Sequence, residues 1–349
     1  MRLALISDTP GALEACRLLG RQLQAAGAEV TLIAAPTLAH EHGAASPPDA
    51  PTLALEPLAA AASELLDHVD AAGVFVEPQT LQPFLEVRRQ AERLRGRPAC
   101  PLFTGPPLPL VGDALSADLL PRLGYDLICL QGPVQVEELG WLIRGTPHAA
   151  QAHEPIGLWG LPIEPIGTTV SREPLLVVLE QEAVPAGAKD KALLYRRLRS
   201  LALAAPDWTV RLQPDYPLSA DPEEWDETAL AWHHGLDTER PANLQIGRRD
   251  DLTLNLMLAW ACVGISSPWL LSAMVWGKPA AVVADYGIRT DFDGPLFFGC
   301  GLMRQLADCL PLEELLSSPR ANPGWLAGLG WTIADGPQRL LRRLGGLRR

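Results

Sequence analysis

The apolar residues of this chain gather in short unbroken runs separated by stretches of helical periodicity, and the alternation recurs from one end to the other. Residues 3–7 (LALIS) make one such run, and Pro10-Gly11 opens a helix that Gly27 stops near residue 26. Proline suits a first helical turn, where its missing N–H would find no partner anyway, and glycine suits the left-handed turn that ends a helix. Residues 29–35 predict the next strand, 58–68 a helix, 73–77 (GVFVE) a strand and 80–95 an amphipathic helix with a basic outer face. Further short runs lie at 102–104 and 127–130, with a last strand at 156–158. Strands buried on both faces are apolar at every position, so the pattern predicts a parallel sheet with helices on both sides.

The rhythm lapses over 145–174, rich in Pro, Gly and His, and then restarts. Strands are expected at 175–180 (LLVVLE), 208–212, 243–246, 263–265 and 280–284, with helices at 189–205, 252–259 and 268–276. The expected fold class is therefore α/β, with two Rossmann-like doubly wound domains facing a cleft. The first spans 1–168, the second 169–335, with the break near 168–174. In such sheets ligands bind beyond the carboxyl ends of the strands, which directs attention to the loops after each apolar run.

Composition sharpens this in three places. At 349 residues the chain suits two domains, and with 48% apolar and 20% charged residues each can bury a core. Net charge is −12, which disfavours nucleic acid as a partner. The exception is 336–349 (GPQRLLRRLGGLRR), with five arginines and no acid. There Leu340, Leu341, Leu344 and Leu347 recur at helical spacing beside Arg339, Arg342 and Arg343. This tail predicts a basic amphipathic helix that either packs on its own chain, the reading favoured here, or makes peripheral contact with an anionic membrane. The six cysteines show no C-x-x-C pair and the histidines no H-x-x-x-H pattern, so buried thiols and no metal site are expected. No run of apolar residues reaches membrane-spanning length, and the first residues lack a signal-peptide pattern, so a cytoplasmic location is expected.

The candidate chemistry is partly defined by what is missing. The first turn, Ser7-Asp8-Thr9-Pro10-Gly11, lacks G-x-G-x-x-G, and the chain has neither a phosphate-binding G-x-x-x-x-G-K-[ST] loop nor a G-x-S-x-G elbow. The most informative stretch runs from Val263 to Met303, where an apolar strand ends in Ser266-Ser267 and a helix follows. Two hydroxyls at a helix start make either a simple N-cap or a receptive site for an anion. Asp8, Glu77 and Asp113 each follow an apparent strand end, where a catalytic base or an ordinary capping acid would sit.

The order of parts over this stretch resembles the donor-binding segment of GT-B nucleotide-sugar glycosyltransferases, and most of all a group of bacterial proteins of that class. The shared pattern is carried by Ser266, Ser267, Ala273, Gly277, Pro279, Asp285, Tyr286, Gly287, Phe297, Gly299, Gly301 and Leu302. A weaker match covers Glu180 to Pro185, Pro206-Asp207 and Val210-Arg211-Leu212. The resemblance implies that Ser266 and Ser267 hold the donor phosphate, that Asp285 and Gly287 belong to the donor site, and that Gln181 and Arg211 point into the cleft. Arg211 would then neutralise the leaving phosphate, its alternative being a surface strand charge. His233 and His234 fall in a region expected to be a loop, where a histidine often occurs, so His233 is a candidate for proton transfer or donor contact, with Asp8 the other catalytic candidate. The pattern is broken at Ser272, where an acid for the donor's ribose is expected, at Gln213-Pro214, where a basic residue or histidine is, and at Cys300, where a serine is.

By this resemblance the protein is an enzyme that moves a sugar from a nucleotide-sugar to a glycan or lipid-linked acceptor, as in polysaccharide biosynthesis. The acceptor would lie on the first domain, the donor on the second, with no cofactor and no metal. The alternatives are a nucleotide-sugar epimerase on the same scaffold and a catalytically degenerate sugar-nucleotide-binding or scaffold protein.

Overall fold

A computed structural model gives the fold and describes residues 1–41, 50–96, 100–162, 173–292 and 294–347. The chain forms two compact units, one of Met1–Leu161 with Leu326–Arg349 and the other of Pro162–Trp325. Most of the predicted 168–174 break lies outside the described residues.

The first unit runs β1 (Arg2–Ser7), α1 (Pro10–Ala25), β2 (Glu29–Ala34), α2 (Pro36–Glu41), β3 (Thr52–Ala54), α3 (Pro57–Ala62), β4 (Ala71–Phe75) and α4 (Pro78–Arg95). It continues with β5 (Leu102–Thr104), α5 (Gly112–Leu119), β6 (Leu127–Leu130), α6 (Pro133–Ile143) and β7 (His153–Pro155). These strands form one parallel sheet in the order β3-β2-β1-β4-β5-β6-β7. Along β1, Leu3 and Leu5 enter one core while Ala4 and Ile6 enter the other, which is why this strand carries no polar alternation. Gly73 in β4 is required by packing, since a Cβ there would lie 2.7 Å from the Phe75 and Phe103 rings.

The second unit runs β8 (Glu173–Glu180), α7 (Ala188–Ala204), β9 (Thr209–Pro214), α8 (Leu230–Leu236), β10 (Leu244–Ile246) and α9 (Leu252–Leu258). Then come β11 (Ala259–Gly264), α10 (Trp269–Val275), β12 (Ala280–Val283), β13 (Met303–Arg304) and α11 (Leu312–Leu316). Its sheet is also parallel, in the order β10-β9-β8-β11-β12-β13. After α12 (Pro323–Gly328) the chain ends in α13 (Gly336–Leu347), which belongs to the first unit.

The sequence reading needs correction at several points. The assignment of 326–335 to the second domain fails, because the chain has rejoined the first unit by Leu326. The basic tail forms the expected helix and packs on its own chain, the favoured reading, though within the first unit: Leu340 and Leu344 of α13 are buried in the first core, against α1 and beside β7. Its outer face carries Arg339 and Arg342, which pair with Asp335 at 2.8 and 3.4 Å. The strand expected at 156–158 falls instead at His153–Pro155, and Ile156, Leu158 and Trp159 are buried in the loop beyond it. On α4, Arg88 turns inward and is held by Asp67 at 2.9 Å and Glu92 at 2.7 Å, so the basic face is not wholly external. All six cysteines are buried and unpaired. Among the described residues no helix is long and apolar enough to cross a membrane.

Candidate functional site

The second sheet reverses direction at β8. From β8 the chain steps outward to β9 and β10, then crosses back to add β11, β12 and β13 on the other side. At such a switch point the loops after neighbouring strands diverge and leave a crevice at their carboxyl ends. The loops after β9, β8 and β11 meet there because those strands are adjacent.

Glu180, the last residue of β8, and Lys191, from the first turns of α7, form a fully buried ion pair at 3.0 Å. The Lys191 ammonium also donates to the Gln181 carbonyl at 2.6 Å, and Glu180 Oε1 accepts the Leu230 N–H at 2.8 Å. These extra hydrogen bonds offset the desolvation of both charges and tie the start of α8 to the end of β8.

On this base sit the paired serines, both with no solvent exposure. Ser266 Oγ donates to Gln181 Oε1 at 3.0 Å, and Ser267 Oγ donates to Asp215 Oδ2 at 3.1 Å. Asp215 follows β9 and is anchored by its own N–H, which donates to the Glu180 carbonyl at 2.9 Å. Burial pushes the Asp215 carboxyl up to about 6, while the Ser267 hydroxyl and the charge of Arg249 pull the other way. The Arg249 guanidinium lies 5.1 Å from the centre of the Trp269 ring. The simple-cap reading of the serines is corrected by this geometry. Neither hydroxyl caps α10, whose cap position is Pro268, and both point to partners from β8 and β9. Ser272, where an acid was expected, is fully buried, and its hydroxyl has no partner among the described residues.

The remaining candidates lie elsewhere around this edge. Arg211, within β9, donates to Asn255 Oδ1 at 2.6 Å and Gln245 Oε1 at 3.0 Å, and Asn255 in turn donates to Gln213 Oε1 at 2.6 Å. It heads an amide network and makes none of its hydrogen bonds with Ser266 or Ser267. His233 lies in α8, not in a loop, stacked on Tyr195 at 6.2 Å and edge-on to Trp232 at 4.9 Å. Its Nε2 is buried without a partner among the described residues. Burial, with Arg196 and Lys191 nearby, lowers its pKa against the opposing pull of Glu180 and Glu227, which favours the neutral ring. His234 is structural: its Nε2 donates to the Leu244 carbonyl at 3.0 Å. Asp285 is occupied on both oxygens, by the Leu306 N–H at 2.7 Å and by Arg197. Gly287, at φ +76°, closes the turn after β12 and lines a small apolar niche with Ile265, Val283 and Phe292.

Asp8 lies beyond the carboxyl end of β1 in the first unit. Its Oδ1 accepts the Glu77 N–H at 2.9 Å, and Thr9, not Asp8, caps α1. Burial raises its pKa, and the charges of Glu77 and Glu56 add to the effect, against its backbone hydrogen bonds. Asp113 lies in the first turn of α5. The sequence reading did not single out Asp215, Arg249 or Lys191. No motif marks them: the adjacency of β9, β8 and β11 brings Asp215 to Ser267, while Lys191 comes from α7 and Arg249 from the turn before α9. Among the described residues no group of three or more His, Cys, Asp or Glu side chains is placed to hold a metal ion.

Two parallel Rossmann-like α/β units are the architecture of the GT-B class. A family model described as "Putative glycosyltransferase (DUF6716)" matches residues 17–340, and the chain belongs to that family. The sequence matches no curated protein. Among solved structures, UDP-GlcNAc 2-epimerase from Methanocaldococcus jannaschii is similar at 14% identity, covering 99% of this chain and 100% of that one, with a TM-score of 0.65. The glycotransferase of kitacinnamycin is similar at 15% identity, covering 98% and 99%, with a TM-score of 0.56. MurG of Acinetobacter baumannii is similar at 13% identity, covering 99% of each chain, with a TM-score of 0.51. At these identities the likeness is one of fold.

Proposed function

We propose that the protein transfers a sugar from a nucleotide-sugar donor to a glycan or lipid-linked acceptor, with the donor bound by the second unit and the acceptor by the first. The observation that carries this reading is the gathering of Gln181, Asp215, Ser266 and Ser267 from three adjacent strand ends at the switch point of the second sheet. Hydroxyl donors there, with the Arg249 guanidinium near Asp215, suit the phosphates of a nucleotide, and phosphate is the group that gains charge as the sugar leaves. Neutral His233 would serve as a hydrogen-bond acceptor or proton carrier toward the donor, and Asp8, with its raised pKa, as the base for the acceptor hydroxyl.

The test is thermal-shift and calorimetric titration with UDP, GDP, TDP and CMP and their sugars. One nucleotide should stabilise the protein saturably, and Ser266→Ala/Ser267→Ala should abolish the effect while keeping the melting temperature of the unliganded protein within a few degrees. Absence of stabilisation by every nucleotide would remove the donor-site reading. An epimerase is a second reading, favoured by Asp8, Glu56 and Glu77 following the ends of β1, β3 and β4 in the first sheet, where both glutamates help raise the Asp8 pKa. Proton NMR of UDP-GlcNAc with enzyme and no acceptor separates the two. Inversion at the sugar C2 would favour the epimerase, and its absence together with acceptor-dependent release of UDP would favour transfer.

A further inference from the structure

The two serines assigned to the donor phosphate are not idle in the structure. Ser266 donates its hydroxyl hydrogen to a neutral amide oxygen, Gln181 Oε1, but Ser267 donates to a carboxylate, Asp215 Oδ2. A hydroxyl has one hydrogen to give, so a phosphate oxygen seeking that hydrogen competes directly with Asp215. Asp215 also answers to the positive charge of Arg249, from the turn at Arg249–Asp251 before α9. A negatively charged oxygen held by a serine hydroxyl within the field of an arginine is what a bound phosphate oxygen would also present. Asp215 is fixed there from two sides, its backbone N–H donating to the Glu180 carbonyl and its carboxylate accepting from Ser267. The other charges that act on it are Glu180 at the end of β8 and Lys191 on α7, and that pair is closed on itself at 3.0 Å. Tyr216 adjoins it in sequence, and its hydroxyl stays neutral because burial and the charge of Glu180 raise its pKa.

We propose that Asp215 is a specificity-determining residue of the donor site: its carboxylate holds Ser267 in the free enzyme, must yield that hydrogen bond when phosphate binds, and penalises phosphate groups in proportion to their negative charge. The inference rests on the donor-site reading above and extends it to the charge of the ligand. Both phosphates of a nucleotide-sugar are diesters with one charge each, whereas the terminal phosphate of a nucleoside diphosphate product carries nearly two at neutral pH. A carboxylate a few ångströms away therefore disfavours product more than donor, because the repulsion scales with the product of the charges. The arrangement favours release of product from a site that still accepts donor.

The experiment is calorimetric titration at pH 7.5 of the wild-type chain, Asp215→Asn, Ser267→Ala and the double variant. The ligand pairs are UDP with UDP-GlcNAc, GDP with GDP-mannose and TDP with TDP-glucose. Asn keeps the shape of Asp and an oxygen that accepts from Ser267, and circular dichroism checks that each variant folds. For the pair that binds, Asp215→Asn should tighten the diphosphate about tenfold and the nucleotide-sugar by clearly less, as expected for removing one close like charge. In the Ser267→Ala background the same change should give a smaller gain, because the competition for the hydroxyl is gone. Binding by Asp215→Asn where wild type shows none would support the proposal in its strongest form. Equal or weaker binding by folded Asp215→Asn, or equal gains for diphosphate and nucleotide-sugar, overturns it and leaves the donor site standing. No binding by any variant removes the donor site and the proposal together.

Discussion

At the scale of single residues, the charges beneath the serines are held at a cost that can be measured. The Asp215 carboxyl titrates near 6 in the folded protein against 3.8 as its ordinary value, so the folded state holds its proton more tightly. Its contribution to stability is then fully present below 3.8 and is lost as pH rises toward 6. Asp215→Asn should unfold later than wild type at pH 7.5, by about 3 kcal/mol at most, and the margin should close as pH approaches 4; urea unfolding at three pH values checks it. Lys191 makes the opposite case. Lys191→Met leaves buried Glu180 without its cation and should cost about 3–5 kcal/mol, while Glu180→Gln/Lys191→Met should recover most of that, because what is expensive is the unpaired charge. If the single and double variants unfold at the same urea concentration, the pair is not the anchor of this edge.

Among the elements, α13 is the one whose role depends most on its partners. Its leucine stripe and arginines suit a membrane-surface helix as well as the favoured packing helix, since both need one apolar and one basic face. The structure spends the stripe on the first core through Leu340 and Leu344, next to α1. Leu344→Ala should therefore cost about 2–5 kcal/mol in chemical unfolding, whereas Arg342→Glu/Arg343→Glu should change stability by less than about 1 kcal/mol. Equal effects from the two would mean that the helix is not seated as described. Long elements such as α1, α4, α7, β2 and β8 were legible in the sequence to within a few residues, because each repeats its period often enough to stand out. β3, β13, α8 and α11 were not, being too short to display a period. His233 was accordingly expected in a loop although it lies in α8.

For the whole molecule, the chain leaves its first unit at Leu161 and returns at Leu326, so the second unit is an insertion into the first. Residues 162–325 expressed alone should fold and unfold cooperatively, since they contain their own sheet and core. Residues 1–161 alone should not match the stability of the same segment joined to 326–349, which supplies Leu340 and Leu344. Circular dichroism and calorimetry of the fragments check both outcomes, and a fully stable 1–161 would contradict the discontinuous unit.

By itself the amino-acid sequence determined that there are two parallel α/β units, because burial on both faces writes itself into strands as unbroken apolar runs. It also marked Ser266 and Ser267 and the family resemblance around them, because a strand end, paired hydroxyls and the turn at Gly287 are contiguous. Tertiary structure alone decided what those serines touch. Gln181 and Asp215 are 85 and 52 residues away from their serine partners along the chain, and the adjacency of β9, β8 and β11 is what closes those distances. It also decided that Arg211 answers to Asn255 and Gln245, and that the last helix belongs to the first unit. Local periodicity records which face of an element is buried; which other element buries it, and which charge waits beside a hydroxyl, is fixed only when distant segments pack.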